Sequence, residues 1–323
     1  AGQYPAKTLE AGAASKVMPG APVPEGTGQV IMVEDTDAGN EVVRVSRHDG
    51  RTNLCMKGED VRAGQTILKA GVKLGPLHLA NLISCGVAEV SVRKPVRVTI
   101  FATGDEIVDS PDALTPGKIM NSNGPMLEAL ARENGLDVVT SAGVADELDA
   151  LTDALRAAVE TADLILLSGG VSAGDFDFVP AAMKEAGFTI HFDSVSVQPG
   201  RPVTFATHGN RIALGMPGNP VSVFLCFHLY ARRIAALLSG GVPPVRAFQV
   251  AVEAPFRRKH GGRMGFYPCQ INAAGRAESV AYHGSAHLLA LCEADGFIQV
   301  PQGVTEIPAG GTVRFYPLHL GKW

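Results

Sequence analysis

Five carboxylates sit in three short segments that each follow an apolar run: Asp105 and Glu106 in "ATGDE", Asp146 in "GVADE", Asp175 and Asp177 in "SGGVSAGDFD". Oxygen ligands of this kind suit Mg2+, which keeps several waters and bridges to substrate phosphates. Without a cation they would repel both an anionic ligand and one another. A single loop acid is ordinarily just solvated, so the grouping carries the reading.

The same loops offer places for an anion. In "SGGVS", Gly169 and Gly170 allow positive φ and close backbone approach, while Ser168 and Ser172 add hydroxyl donors. A tight strand-to-helix turn needs the same glycines, so this motif alone fits phosphate binding and plain turn chemistry equally. "GMPGNPVS" places Asn219 at a helix N-cap position, Pro220 at the first helical position and Ser222 in the first turn, with an oxyanion site or ordinary capping as the two readings. "VQPGRPVTF" presents Arg201 on a rigid Pro-Gly turn, and the guanidinium fork suits a tetrahedral oxyanion. In the tail, "KHGGRMGF" and "HGSAHL" supply Arg263, Ser285 and His287, which read locally as solvated loop residues. His283 and His287 are four apart, a spacing that aligns side chains on a helix but not in the strand and turn read here.

Regular elements must position these loops. From 96 to about 240, "VRVTIFATGDE", "LDVVTSAGV" and "DLILLSGG" read as strands, separated by the helical patterns "NGPMLEALARENG", "ELDALTDALRAAVETA" and "VPAAMKEAG". That alternation predicts βαβ units and a mainly parallel sheet covered on both faces, with ligands bound at the carboxyl ends of the strands. "FTIHFDSVSV", the pair "VTFAT" and "RIALG", and a long apolar helix from "NPVSVFLC" complete the α/β domain, 96–240. Residues 1–57 read as part of a small β domain, with strands in "GQVIMVED" and "EVVRVS". Residues 58–95 read as a linker region containing the helix "GPLHLANLISCG", and residues 241–323 as a C-terminal β domain.

Composition narrows the class. The 323 residues are 46% hydrophobic and 19% charged, as in a soluble globular enzyme, and the length predicts two or three domains. A formal net charge of −4 argues against a nucleic-acid surface. Five widely spaced cysteines with no C-x-x-C pair point to a reducing compartment rather than disulfides or zinc. No run reaches 18 apolar residues and the start lacks a leader pattern, so neither a membrane nor a secretory route is expected, and the cytoplasm is.

Taken in order, "ATGDEIV", "GKIMNSNGPML", "ILLSGGVSAGDFD", "PGRPVTFA" and "GMPGNPVS" resemble the molybdopterin molybdotransferase family, represented by MoeA and the gephyrin E domain. "MPGAPVPEGTGQVIMVED", "KGEDVRAGQTILKAG" and "GSAHLLALCEADGF" fit the same family, so the resemblance spans essentially the whole chain. It implies an enzyme of molybdenum cofactor synthesis that takes adenylylated molybdopterin and molybdate, cleaves the pyrophosphate link in a Mg2+-dependent step and releases AMP. It implies Glu106, Asp146 and Asp177 as catalytic and metal-binding acids. It implies a pterin-phosphate set of Thr103, Gly104, Asp105, Ser168, Gly169, Gly170, Ser172, Asp175, Pro217, Gly218 and Asn219. Arg201, Ser222, Arg263 and Ser285 are implied near molybdate. A homodimer is implied too, with molybdopterin adenylyltransferase and molybdoenzyme maturation factors as partners.

Three departures accompany the resemblance. Gln198 stands where the family usually has a basic residue, which removes one charge from an oxyanion pocket and leaves Arg201 with more of the task. Pro19 replaces a usual Thr, and the segment that carries the family's Asp-Gly-Tyr/Phe-Ala motif is not among these residues. A non-catalytic molybdopterin-binding scaffold is therefore the alternative. The related adenylyltransferase is argued against by the β-rich flanks.

Overall fold

A computed structural model of the chain describes residues 2–171, 177–242 and 247–318. Two compact units divide it: residues up to Lys69 with Leu77–Cys85, and Ala70–Pro76 with Gly86 onward.

The helix α1, Pro76–Ser84, forms where its apolar spacing predicts one. Among the described residues of the first unit, the predicted strands do not form. There is instead a 3-10 turn at Val33–Asp35 and one isolated antiparallel bridge between Thr36 and Val45. Met32, Val33, Val42 and Val45 are all exposed. Alternation favours a strand only when one face packs against something, and these residues lack that cover.

In the second unit β1 (Arg97–Thr103), β2 (Asp137–Val144), β3 (Leu164–Ser168), β4 (Thr189–Ser194), β5 (Pro202–His208) and β6 (Arg211–Met216) form one sheet. The strand order is β2-β1-β3-β6-β5-β4, with the first four parallel and the β5–β6 hairpin reversing direction. The central strand β3 is buried at all five positions, which is why it reads as an unbroken apolar run. Leu164 and Leu166 face the helix α2 (Asn123–Glu133) through Leu127 and Leu130. Ile165 and Leu167 face α3 (Leu148–Thr161) and α4 (Val179–Glu185) through Leu151, Leu155 and Met183. Each such buried side chain contributes about 1.5–3 kcal/mol, so the sheet is a rigid base for the loops at its edge.

The last helix of this domain runs as α5 (Pro220–Cys226), a π turn at Phe227–Ala231 and α6 (Arg232–Leu238). By length and composition it could cross a membrane. Its apolar face instead packs on the sheet, with Val223, Cys226, Phe227, Ala231 and Ala235 all buried in that core.

The C-terminal sheet has strands β7 (Phe248–Ala251), β8 (Met264–Ile271), β9 (Ala277–Ser279), β10 (Gly296–Val300) and β11 (Thr312–Pro317), antiparallel in the order β7-β11-β10-β8-β9. Its own core holds Val252, Cys269, Ile298, Val300, Val313 and Phe315. One short parallel ladder ties it to the α/β domain: Val197 lies opposite Met264 and Gln198 opposite Gly265.

Candidate active site

A cavity of about 780 Å3 opens at the carboxyl ends of the parallel strands. Glu106, Asp146 and Asp177, brought by the loops after β1, β2 and β3, line it with Thr103, Gly104, Gly169 and Gly170. Pro217, Gly218, Asn219 and Ser222 reach it from the turn between β6 and α5. Arg201, Arg263 and Ser285 complete the group of anticipated residues that share this space.

The glycine turn after β3 is built for close approach. Gly169 and Gly170 have φ of +96° and +61°. A Cβ on Gly169 would lie 2.1 Å from the Thr103 carbonyl oxygen, so no larger residue fits there. The Gly169 N–H donates to the Met216 carbonyl at 3.1 Å, and the Gly170 carbonyl accepts from the Val179 N–H at 3.1 Å, where α4 starts. Asn123, buried at the start of α2, donates from Nδ2 to the Gly218 carbonyl at 2.7 Å, tying the turn between β6 and α5 to that helix.

Charge accumulates at Asp146. Burial first, and then the negative charges of Asp105, Asp177 and Glu106, push its carboxyl above the ordinary 3.8, against a hydrogen bond from Thr103 Oγ1. That bond spans 3.2 Å. Among the described residues no three His, Cys, Asp or Glu side chains close into a metal-holding cluster. The acids sense one another's charge without forming a complete ligand set.

The basic side is set by the inter-sheet ladder. Arg201 follows Gly200, whose missing Cβ leaves room for Cys226 Sγ, 3.0 Å from where it would stand. Burial pushes the Cys226 thiol up to about 12, so it is a packing group and not a nucleophile. Arg263 precedes Met264, whose N–H donates to the Ser196 carbonyl at 3.1 Å. One ladder thereby brings two guanidinium groups, distant in sequence, to one cavity.

Some anticipated residues stand elsewhere. Ser168 ends β3 fully buried, with a hydroxyl that has no partner among the described residues, and it does not line the cavity. As the last residue of a central strand it points into the core rather than the loop. Asp105 is exposed and acts on the site only through its charge, while its carbonyl accepts a hydrogen bond from Lys118 Nζ. Asn219 occupies the N-cap position of α5, but its side chain makes no capping hydrogen bond. The Val221 N–H is taken instead by the Ser285 carbonyl at 3.1 Å. Ser172 and Asp175 lie outside the described residues.

Other lining residues carry no local signal. Tyr267 and Tyr282 face the cavity, and burial beside Tyr267 pushes the Tyr282 phenol up to about 12. His283 and His287 also differ from expectation: their rings stack at 5.0 Å and 12°. A tight turn, in which the His287 N–H donates to the Gly284 carbonyl at 2.9 Å, gives a strand-rich region the alignment expected only of a helix.

Similarity to known proteins accounts for the whole span. Residues 1–86 match the family model of the MoeA N-terminal region (domain I and II), residues 99–236 that of a probable molybdopterin binding domain, and residues 251–318 that of the MoeA C-terminal region (domain IV). Molybdopterin molybdenumtransferase 2 of Mycobacterium tuberculosis is 32% identical over 326 residues, covering 98% of this chain and 80% of the relative. Molybdopterin molybdenumtransferase of Staphylococcus aureus is 31% identical over 314 residues, covering 93% and 73%. Among solved structures, the molybdopterin biosynthesis MoeA protein of Pyrococcus horikoshii OT3 shares the fold, with a TM-score of 0.81 at 24% identity over 98% of this chain and 78% of its own. A molybdenum cofactor biosynthesis protein of Pyrococcus furiosus gives 0.62 at 26%, covering 80% and 82%.

Proposed function

The chain belongs to the molybdopterin molybdenumtransferase (MoeA) family, and on that premise we propose that it is a transferase of molybdenum cofactor biosynthesis, inserting molybdate into adenylylated molybdopterin with release of AMP. The observation that carries this reading is the coexistence of two poles in one cavity: the acids Glu106, Asp146 and Asp177, and the cations Arg201 and Arg263 with the hydroxyls of Ser222 and Ser285. An acidic pole alone would repel a pyrophosphate. A basic pole alone would give a simple anion receptor.

The donor chemistry fits Mg2+. Three carboxylates face one space, and Asp146 bears repulsion that a cation would relieve. Glu106, Asp146 and Asp177 would hold it, with water and substrate oxygens completing the shell. When bound, Mg2+ supplies neutralisation of the charge that builds on the pyrophosphate as its bond breaks.

The chain's own residues do the rest. The Gly169–Gly170 turn lets the backbone come close to the pterin phosphate. Arg201 and Arg263 orient molybdate, a tetrahedral dianion matched to their forks. Thr103 fixes the Asp146 carboxylate through its hydrogen bond. The scaffold alternative rests on Gln198, which lines the cavity without adding a charge, but both poles stand beside it. A homodimer in the cytoplasm is the assembly and location this reading carries with it. The test is AMP release from adenylylated molybdopterin with molybdate and Mg2+ each present or omitted. Release that requires both supports the proposal, and release indifferent to molybdate sinks it.

A further inference from the structure

Arg258 lies outside the cavity lining, yet its side chain is wholly committed to backbone near it. Nε donates to the Val304 carbonyl at 2.6 Å, Nη1 to the Arg263 carbonyl at 2.8 Å and Nη2 to the Pro301 carbonyl at 2.6 Å. The backbone adds two bonds between the same segments: Arg258 N–H to the Thr305 carbonyl at 2.9 Å and Gly303 N–H to the Gly261 carbonyl at 2.8 Å. The floor beneath is cleared for the guanidinium. A Cβ on Gly265 would lie 2.6 Å from Arg258 Nη1 and 2.5 Å from a ring carbon of Tyr267.

We propose that Arg258 is the positioning residue for the oxyanion-holding Arg263, clamping that residue's carbonyl to the 301–304 turn so that its guanidinium is presented to the cavity in one place. The proposal rests on the molybdate reading of the basic pole. Between Arg258 and Met264 the chain carries two consecutive glycines, Gly261 and Gly262, and has little stiffness of its own. A planar fork with three nitrogens aimed at three carbonyls supplies that stiffness. A lysine ammonium, a point charge on a flexible stem, cannot span the same acceptors. The neighbours serve other ends: Arg257 pairs with Glu306 at 2.8 Å, so the cluster divides into a surface ion pair, a clamp and a ligand-facing arginine.

Molybdate binding to the full chain, followed by titration calorimetry, tests this with Arg258→Lys, Arg258→Gln, Arg263→Ala and the double variant Arg258→Lys/Arg263→Ala. Arg258→Lys and Arg258→Gln are expected to weaken molybdate roughly tenfold, leaving affinity for the adenylylated pterin substrate unchanged and speeding amide exchange at Met264. The double variant should bind no worse than Arg263→Ala alone, because a clamp has nothing left to position. Additive losses, or equal losses for both substrates, would mark Arg258 as merely structural and overturn the proposal. Undiminished molybdate binding in both Arg258 variants, alongside a loss in Arg263→Ala, overturns the clamp and spares the molybdate reading. An Arg263→Ala protein that binds molybdate normally removes both.

Discussion

Thr103, the last residue of one parallel strand, donates its hydroxyl hydrogen to Asp146 in the loop that follows the neighbouring strand, across 3.2 Å. The bond opposes what the surroundings do to that carboxylate, since burial and the charges of Asp105, Asp177 and Glu106 all hold its proton on. A carboxyl whose folded value stands above the ordinary 3.8 contributes its stability below that value and loses it as pH rises through the folded one. Asp146→Asn, neutral throughout, should match the wild type in acid and exceed it by a few tenths of a kcal/mol near neutrality without divalent cation. Millimolar Mg2+ should close the gap by stabilising only the wild type. Urea midpoints at the two pH values measure this, and a variant less stable at neutral pH counts against the charge argument.

The opposite end of the sheet behaves in the opposite sense. Asp163, just before β3, accepts from Arg97 Nη2 at 3.1 Å and from Arg211 Nη1. Burial pushes its carboxyl up, but the hydrogen bonds from Arg97 and the charges of Arg97 and Arg211 outweigh that and hold it below 3.8. Its stabilisation is present above 3.8 and lost as pH falls through the folded value. Asp163→Asn should cost up to about 1 kcal/mol at neutral pH, discounted for partial exposure of the pair, and nothing in strong acid.

Asp177→Asn should lower molybdate-dependent AMP release about a hundredfold or more while leaving molybdopterin binding largely intact. Single-turnover assays beside equilibrium binding separate the two effects. Unchanged turnover would take Asp177 out of the reacting group.

Gly169→Ala forces a methyl group to within 2.1 Å of the Thr103 carbonyl at a φ of +96°. A cost of about 1–3 kcal/mol follows from the strained backbone alone, together with loss of phosphate binding as the turn moves. Gly218→Ala is the control, because its Cβ would be 3.8 Å from its nearest neighbour, Gly169 Cα. Equal destabilisation of the two by thermal melting would contradict the close-approach account.

Gln198→Lys adds a cation to a cavity that already holds Arg201 and Arg263. Molybdate affinity should rise several-fold at low salt, and the gain should fade as ionic strength increases. A gain indifferent to salt would mean that the lysine acts through packing.

The sheet and its acid loops are legible in sequence because they are encoded locally. "LILLS" is unbroken apolar since both its faces are covered, and the polar residues after it can only stand at the strand ends. What escapes local pattern is what long-range pairing decides. Nothing in "FYPC" or "AYHGS" announces that Tyr267 and Tyr282 reach a cavity at the edge of the other sheet, and Arg258 is one basic residue among several until its three carbonyl partners are known. Ser168 fails in the other direction. In sequence it opens the glycine loop, but the ladder continues through it, opposite Ala102 and Met216, and buries it. The first unit's alternating segments fail because their apolar faces have no cover.

The short ladder between Val197–Gln198 and Met264–Gly265 also works as a ruler. One inserted residue between Gln198 and Arg201, or between Arg258 and Arg263, would shift a guanidinium by ~3.4 Å, more than the length of a hydrogen bond. Lys259 and His260 are exposed, so the geometry depends less on their identities than on the number of residues in those two stretches.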